Sequence, residues 1–339
     1  MKRIKYIAIL LVLLVFCSCQ KKTEKLQSIQ GMAFGTTYGI QFFSSESFDA
    51  QKGIDSVVNL VNRSVSTYMP ESDISKINRG DDTVVVDSIF KEVFRISEKV
   101  HNESEGYFDP TIGVLRNAYG FGEEKPIIEI DSKKLDSLRQ LVGFSKVTLN
   151  TDGTITKQYP AIYFDFNAIA KGYGIDRLGA YLERKGVANY LIELGGELLA
   201  KGKNIEKDKD WIVGIEATDS QLEDRAAAAK LILKDKGMAS SGNYRKFRID
   251  SISGKRFVHT INPLTGLAEQ SDVTSATVVA ATCALADAYA TTFMAMGFEK
   301  SKALLRQLED VEAYLTYTDS GNIQQVYVTK GMDVLLVNQ

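Results

Sequence analysis

The sequence predicts an α+β fold: one large mixed domain with several antiparallel or mixed sheet regions and packed helices. Three observations carry this. Strand-like and helical patterns come in groups and do not alternate strictly, which argues against a doubly wound parallel sheet. No stretch rich in Pro, Gly or Ser divides the chain after its N-terminal segment, although 339 residues would allow two domains. With 44% hydrophobic residues, the chain can bury a large core without a disulfide framework.

The N-terminus reads as a leader. Met1-Lys2-Arg3-Ile4-Lys5 is basic, and Tyr6 to Phe16 is apolar but too short for a comfortable membrane span. Phe16-Cys17-Ser18-Cys19 then resembles a bacterial lipoprotein cleavage site, with Cys19 as the lipidated residue because small Ser18 precedes it. Residues 1–18 are therefore expected to be a lipoprotein signal peptide, 19–30 a polar tether and 31–339 the folded domain. The mature protein would be exported, anchored by lipid to a bacterial membrane and facing the periplasm.

Within the domain, strands are expected at Tyr38–Phe43, Val147–Leu149, Tyr190–Leu194, Trp211–Ile215, Leu231–Leu233, Thr274–Ala280, Ala313–Tyr317 and Gln325–Val328. Helices are expected from about Asp87 to Glu105, around Leu135, Leu138 and Leu141, over 172–185, over Ala284–Met296 and over Lys300–Leu308. Gly106, Gly143, Gly186 and Gly297 close the first four. Ser72-Asp73 reads as a capped helix start.

The formal net charge is −2, with both signs interspersed and no basic block, so nucleic-acid binding has no support. Only two histidines occur, His101 and His259, and no Cys/His cluster has zinc spacing. A bound metal should be a hard cation held by oxygen. Cys283 sits in an apolar pattern and reads as a core residue.

The densest chemical signal is Asp165-Phe166-Asn167-Ala168-Ile169-Ala170-Lys171-Gly172-Tyr173-Gly174. The strand-like run Ala161–Phe164 leads into an acid, then through small residues into a helix. That arrangement can present backbone N–H groups and the Lys171 charge to an anion. Asp287 and Thr291, i and i+4 on an otherwise apolar helix, place a carboxylate and a hydroxyl on one face. A buried carboxylate needs a partner, and a cation would supply it. Other patches are weak singly: Phe34-Gly35-Thr36-Thr37, Ser66-Thr67-Tyr68, Gly106-Tyr107-Phe108-Asp109-Pro110-Thr111-Ile112-Gly113, Gly195-Gly196-Glu197, Ser240-Ser241-Gly242-Asn243 and His259-Thr260-Ile261-Asn262-Pro263.

Taken together and in this order, the patches resemble the ApbE family of FAD:protein FMN transferases, over roughly residues 31–330. The resemblance implies an ApbE-like, T-fold-like α+β domain that moves FMN from FAD to a Thr or Ser hydroxyl of a target protein, releasing AMP and using Mg²⁺. The implied acceptors are flavoprotein subunits of membrane electron-transport complexes of the sodium-pumping quinone reductase (Nqr) and Rnf types. By matching positions, Phe34, Tyr68, Tyr107, Phe108, Asp109, Asp165, Lys171 and Ile261 should line the FAD site. Asp287 and Thr291 side chains and the Ala168 carbonyl should hold Mg²⁺. His259 and Asp287 are then the expected catalytic residues, with His259 taking or positioning the acceptor's proton. The sequence departs from the family at Phe34, where Met is usual, at Asn167 and at Asn262. Two other readings of the same residues are an FAD pyrophosphatase giving FMN and AMP, and a non-catalytic flavin-binding lipoprotein.

Overall fold

The computed structural model describes residues 23–127, 130–217, 227–243, 247–249 and 256–337. The expected signal peptide and Cys19 lie outside the described residues. The expected tether is shorter than its predicted span, because residues from Lys25 onward form a strand. β1 (Lys25–Ala33) pairs with β2 (Thr36–Ser44) along its whole length. Its sequence looked like a tether because an edge strand with one solvated face carries many polar residues.

Phe34 and Gly35 make the β1–β2 turn with φ of 50° and 77°, the left-handed geometry that two-residue hairpins favour. Two long helices and three short ones follow: α1 (Ala50–Val65), α2 (Asp73–Asn78), α3 (Ser88–Glu103), α4 (Gly113–Ala118) and α5 (Ser132–Arg139). Asp49, Ser72, Asp87 and Asp131 cap α1, α2, α3 and α5 by accepting a backbone N–H three residues on. β3 (Val147–Leu149) pairs with β4 (Ile155–Lys157). Next come α6 (Ala170–Arg184), β5 (Tyr190–Leu194) and β6 (Glu197–Lys201). Two further antiparallel pairs flank β9 (Lys236–Gly242): β7 (Trp211–Glu216) with β8 (Ala227–Leu233), and β10 (Phe247–Ile249) with β11 (Arg256–Val258). β12 (Val273–Ala280), α7 (Cys283–Met296), α8 (Phe298–Leu305), β13 (Glu312–Thr318), β14 (Gln324–Val328) and α9 (Lys330–Leu335) complete the chain.

An eight-stranded sheet of order β1-β2-β5-β6-β9-β12-β13-β14 organises the domain. Each neighbouring pair in it is antiparallel. Strand alternation sorts side chains onto two faces. Tyr38, Ile40 and Phe42 of β2, with Ile192 and Leu194 of β5, pack against α1 and α6. Ala276 and Val278 of β12, with Leu315 of β13, pack against α3 and α7. On the opposite face Phe43, Leu198, Met238 and Val279 meet Trp211, Val213, Leu231 and Leu233 of the β7–β8 pair. α7 is buried on nearly every side, as expected of a helix apolar all round. Cys283 is buried within it, as expected of a core residue, and burial raises its thiol pKa well above the ordinary value.

Two expectations are corrected here. Ala161–Phe164 does not join a sheet beyond a single parallel bridge between Tyr163 and Ile112. The Asn78 side chain stands in for a neighbouring strand: it accepts from Phe164 N–H at 2.7 Å and donates to the Phe164 carbonyl at 2.9 Å. The glycines after Lys171 serve packing. A Cβ on Gly172 would lie 2.4 Å from the Cys283 carbonyl oxygen, and one on Gly174 would lie 2.5 Å from the Phe34 ring. α6 therefore closes onto α7 and onto the β1–β2 turn.

Candidate active site

A cavity of about 1420 Å³ opens where the ends of β2, β5, β6 and β9 meet α6 and α7. Its wall includes every residue singled out as a site residue: Phe34, Tyr68, Tyr107, Phe108, Asp109, Asp165, Ala168, Lys171, His259, Ile261, Asp287 and Thr291. The fold thus collects positions from the first hairpin to α7 around one space.

At one end, Asp165 is buried and fully engaged. Its Oδ1 accepts from the Asn167 backbone and side-chain N–H groups, both at 2.7 Å. Its Oδ2 accepts from Arg116 at 2.5 Å. Arg116 also donates to the Tyr68 hydroxyl at 2.9 Å. Tyr68, 63% exposed, is thereby fixed at the cavity wall by the Arg116–Asp165 ion pair. Asn167, a departure from the family pattern, here braces the Asp165 carboxylate.

The aromatic loop is set by Asp109. Its carboxylate accepts from the Thr111 N–H and hydroxyl at 2.8 and 2.6 Å, and from the Phe144 N–H at 2.9 Å. Burial raises its pKa despite those bonds. With its oxygens so engaged, Asp109 shapes the loop more than it offers a free carboxylate. His101 Nδ1–H donates to the Phe108 carbonyl at 2.8 Å and fixes the same turn. Lys300 donates to the Tyr107 hydroxyl.

In the middle of the cavity, Lys171 forms an ion pair with buried Glu197 from the Gly195-Gly196-Glu197 turn. Burial pulls the Lys171 pKa down, but the Glu197 and Asp287 carboxylates outweigh it and raise it. Burial pushes the Glu197 carboxyl up, Lys171 pulls it partly back, and Asp287 adds to the rise. One ammonium thus serves two buried carboxylates. Glu197 Oε2 is buried and has no hydrogen-bond partner.

Asp287 Oδ2 accepts from the Gly172 N–H at 3.1 Å, so the Gly172 contact also brings the acid to the start of α6. Thr291, one turn on, lies 3.3 Å from the Ser241 hydroxyl of β9, oxygen to oxygen. Among the described residues, no group of three or more His, Cys, Asp or Glu side chains converges as a metal site. The oxygen-bearing groups that line this part of the cavity are the Asp287 and Glu197 carboxylates, the hydroxyls of Thr291 and Ser241, and the chain at Ala168. His259 follows β11 and lines the cavity beside Ile261, which packs with Leu115 and Tyr119.

Two charged side chains in this site escaped residue-level reading. Arg116 lies 49 residues from Asp165, and no spacing rule links a short helix to a distant loop. Glu197 stood inside a recognised motif, but its pairing with Lys171 depends on the sheet.

The ApbE family profile matches residues 34–315. The FAD:protein FMN transferase of Haemophilus influenzae is 34% identical over 329 residues, covering 94% of this chain and 92% of the relative. That of Vibrio cholerae is 31% identical over 316 residues, covering 91% and 92%. Among solved structures, the flavin transferase ApbE from Vibrio cholerae superposes with a TM-score of 0.81 at 28% identity, covering 92% of this chain and 100% of that one. The apo form of the Pseudomonas stutzeri flavinyl transferase ApbE gives 0.79 at 25% identity, covering 94% and 98%.

Proposed function

The chain belongs to the ApbE family, and from that premise we propose how it acts: it is an FAD:protein FMN transferase whose reaction takes place in the cavity at the strand ends. The acceptor's Ser or Thr oxygen forms a new P–O bond to the FMN phosphorus of FAD. The pyrophosphate P–O bond breaks, its electron pair leaves with AMP, and the hydroxyl proton passes to a base. The observation that carries this reading is the gathering of Asp165, Lys171, His259, Asp287 and Thr291 around one cavity.

Each residue has a task in keeping with its surroundings. Tyr68, Phe34, Tyr107 and Phe108 offer ring and apolar surface to the flavin nucleotide, with Ile261 beside them. Arg116 and Asn167 orient the Asp165 carboxylate toward a polar edge of FAD. Lys171, kept charged by Glu197, faces the negative pyrophosphate, where fixed charge favours the transition state. His259 accepts or positions the acceptor's proton.

The oxygen donors suit Mg²⁺, which is commonly held by one or two carboxylates plus substrate phosphates and water. Asp287, Thr291 and the Ala168 carbonyl would hold it, and the unpartnered Glu197 Oε2 nearby favours an arriving cation. Bound there, Mg²⁺ would neutralise charge on the phosphates.

The leader places the enzyme, through a lipid on Cys19, on the periplasmic side of a membrane. Flavoprotein subunits of Nqr- or Rnf-type electron-transport complexes are the acceptors that fit this location. The test is to incubate the protein with FAD, Mg²⁺ and such an acceptor domain and weigh the acceptor. A gain of one FMN with AMP release is expected. AMP and free FMN over an unmodified acceptor would instead identify a pyrophosphatase, and unconsumed FAD a flavin store.

A further inference from the structure

The cavity is larger than one small-molecule reactant requires: about 1420 Å³, against on the order of 300–1,000 Å³ for a ligand pocket. Part of its wall lies on the side of the sheet away from α6 and α7. The cavity continues around the strand ends onto that face, where Thr37 of β2 and Leu191 and Glu193 of β5 line it, and Gly39 and Gln41 of β2 share the face with Thr37. Alternation puts these opposite Tyr38, Ile40 and Phe42, which are buried under the helices. Glu193 lies opposite Gly39 and Leu191 opposite Gln41 in the register of β5, so both extend the same strip. The far end of the strip is covered, where Phe43 meets the Trp211 ring at 6.3 Å between centroids and Leu191 packs against the same cluster. Among the described residues, nothing stands within 4 Å of the place a Cβ on Gly39 would occupy.

Strand β7 forms the side wall. Val213, Gly214, Ile215 and Glu216 line the cavity. Among the described residues β7 pairs with β8 alone, so its other edge carries no strand. On the far side β8 is closed off by a bridge from Leu231 to Leu336.

We propose that this strip of sheet and the open edge of β7 form the channel that receives the acceptor: an extended segment of the target protein lies along β7 and carries its Ser or Thr hydroxyl around the strand ends to the pyrophosphate. The inference rests on the transfer reading above and adds the partner's conformation and path. An open strand edge recognises an extended chain through main-chain hydrogen bonds. The floor at Gly39 leaves height for such a chain. The path ends at Thr37 and the Gly195-Gly196-Glu197 turn, directly beside Lys171. Flavin and acceptor therefore enter from opposite faces of one sheet.

The experiment uses an acceptor domain that the wild-type protein modifies. Gly39→Trp fills the strip at a site remote from Asp165, Asp287 and His259. Its acceptor KM should rise at least tenfold, while FAD affinity and FAD cleavage without acceptor stay within twofold of wild type. An unchanged acceptor KM overturns the channel, and so does an equal loss of FAD binding. Hydrogen exchange on the unaltered protein gives an independent reading. Adding acceptor should slow the amides of residues 211–216, and protection confined to other surfaces overturns the proposal. If no acceptor is modified by wild type, the transfer reading itself fails and takes the channel with it.

Discussion

Arg116 pairs with Asp165 and Glu197 with Lys171, the two charged residues expected to contact FAD, and each pairing has a measurable signature. Arg116 joins Asp165 to Tyr68 through charge-assisted bonds. Losing them should cost about 1.5–3 kcal/mol of oriented interaction. Arg116→Met is expected to weaken FAD binding roughly ten- to hundredfold, read by flavin fluorescence titration; unchanged affinity would remove Arg116 from the site. Glu197 acts on pH dependence. Its folded pKa lies above the ordinary 4.5. The folded protein therefore keeps a proton that the unfolded chain releases, and the contribution of this group to stability falls as pH rises above 4.5. Thermal melts should show Glu197→Gln gaining on wild type between pH 4.5 and neutrality, and a constant difference would contradict the shift. Asp287→Asn keeps an oxygen for the Gly172 N–H and so should fold. Its FMN transfer at saturating FAD and Mg²⁺ should drop on the order of 10²-fold, and retention of full single-turnover AMP release would rule out its proposed role.

At the scale of elements, α6 and α7 are joined by backbone contact. Gly172 sits against the Cys283 carbonyl, and Asp176 accepts from the Cys283 and Ala284 N–H groups at 2.8 and 2.9 Å. The neighbour of Gly172 is backbone and cannot swing aside. Gly172→Ala should therefore cost roughly 1–3 kcal/mol and move Asp287 away from α6. A lowered Tm together with weaker FMN transfer is the expected pair of results, and a variant as stable as wild type would mean that the two helices can part freely. Helices with a clear apolar stripe and a closing glycine were legible: α3, α6 and α7 fall within a few residues of their expected spans. α1 was not anticipated, although Ile54, Val57, Val61 and Val65 are buried along it. Its polar residues outnumber that stripe. β1 was read as a tether because its polar face resembles a linker until β2 pairs with it.

For the whole molecule, the proposal to test is attachment to a membrane through a lipid on Cys19. Among the described residues no helix is long and apolar enough to cross a bilayer. Cys19→Ser should release the protein from the membrane fraction and abolish incorporation of labelled fatty acid. Continued labelling would move the anchor elsewhere.

The family, the α+β class and the residues that one cavity gathers are all legible along the chain. These are carried by short motifs whose order along the chain is readable, and by periodicities that arise within single elements. How those residues are held follows from contacts between distant segments. Asp165 depends on Arg116, Lys171 on Glu197, and the glycines of the densest motif on close packing against α7 and Phe34. The open edge of β7 and the bare floor at Gly39 belong to the same level. Each is a relation between segments far apart in the chain. Pairing across a sheet or between helices is set by the summed packing of the core, and no local pattern encodes which partner a charged side chain will meet.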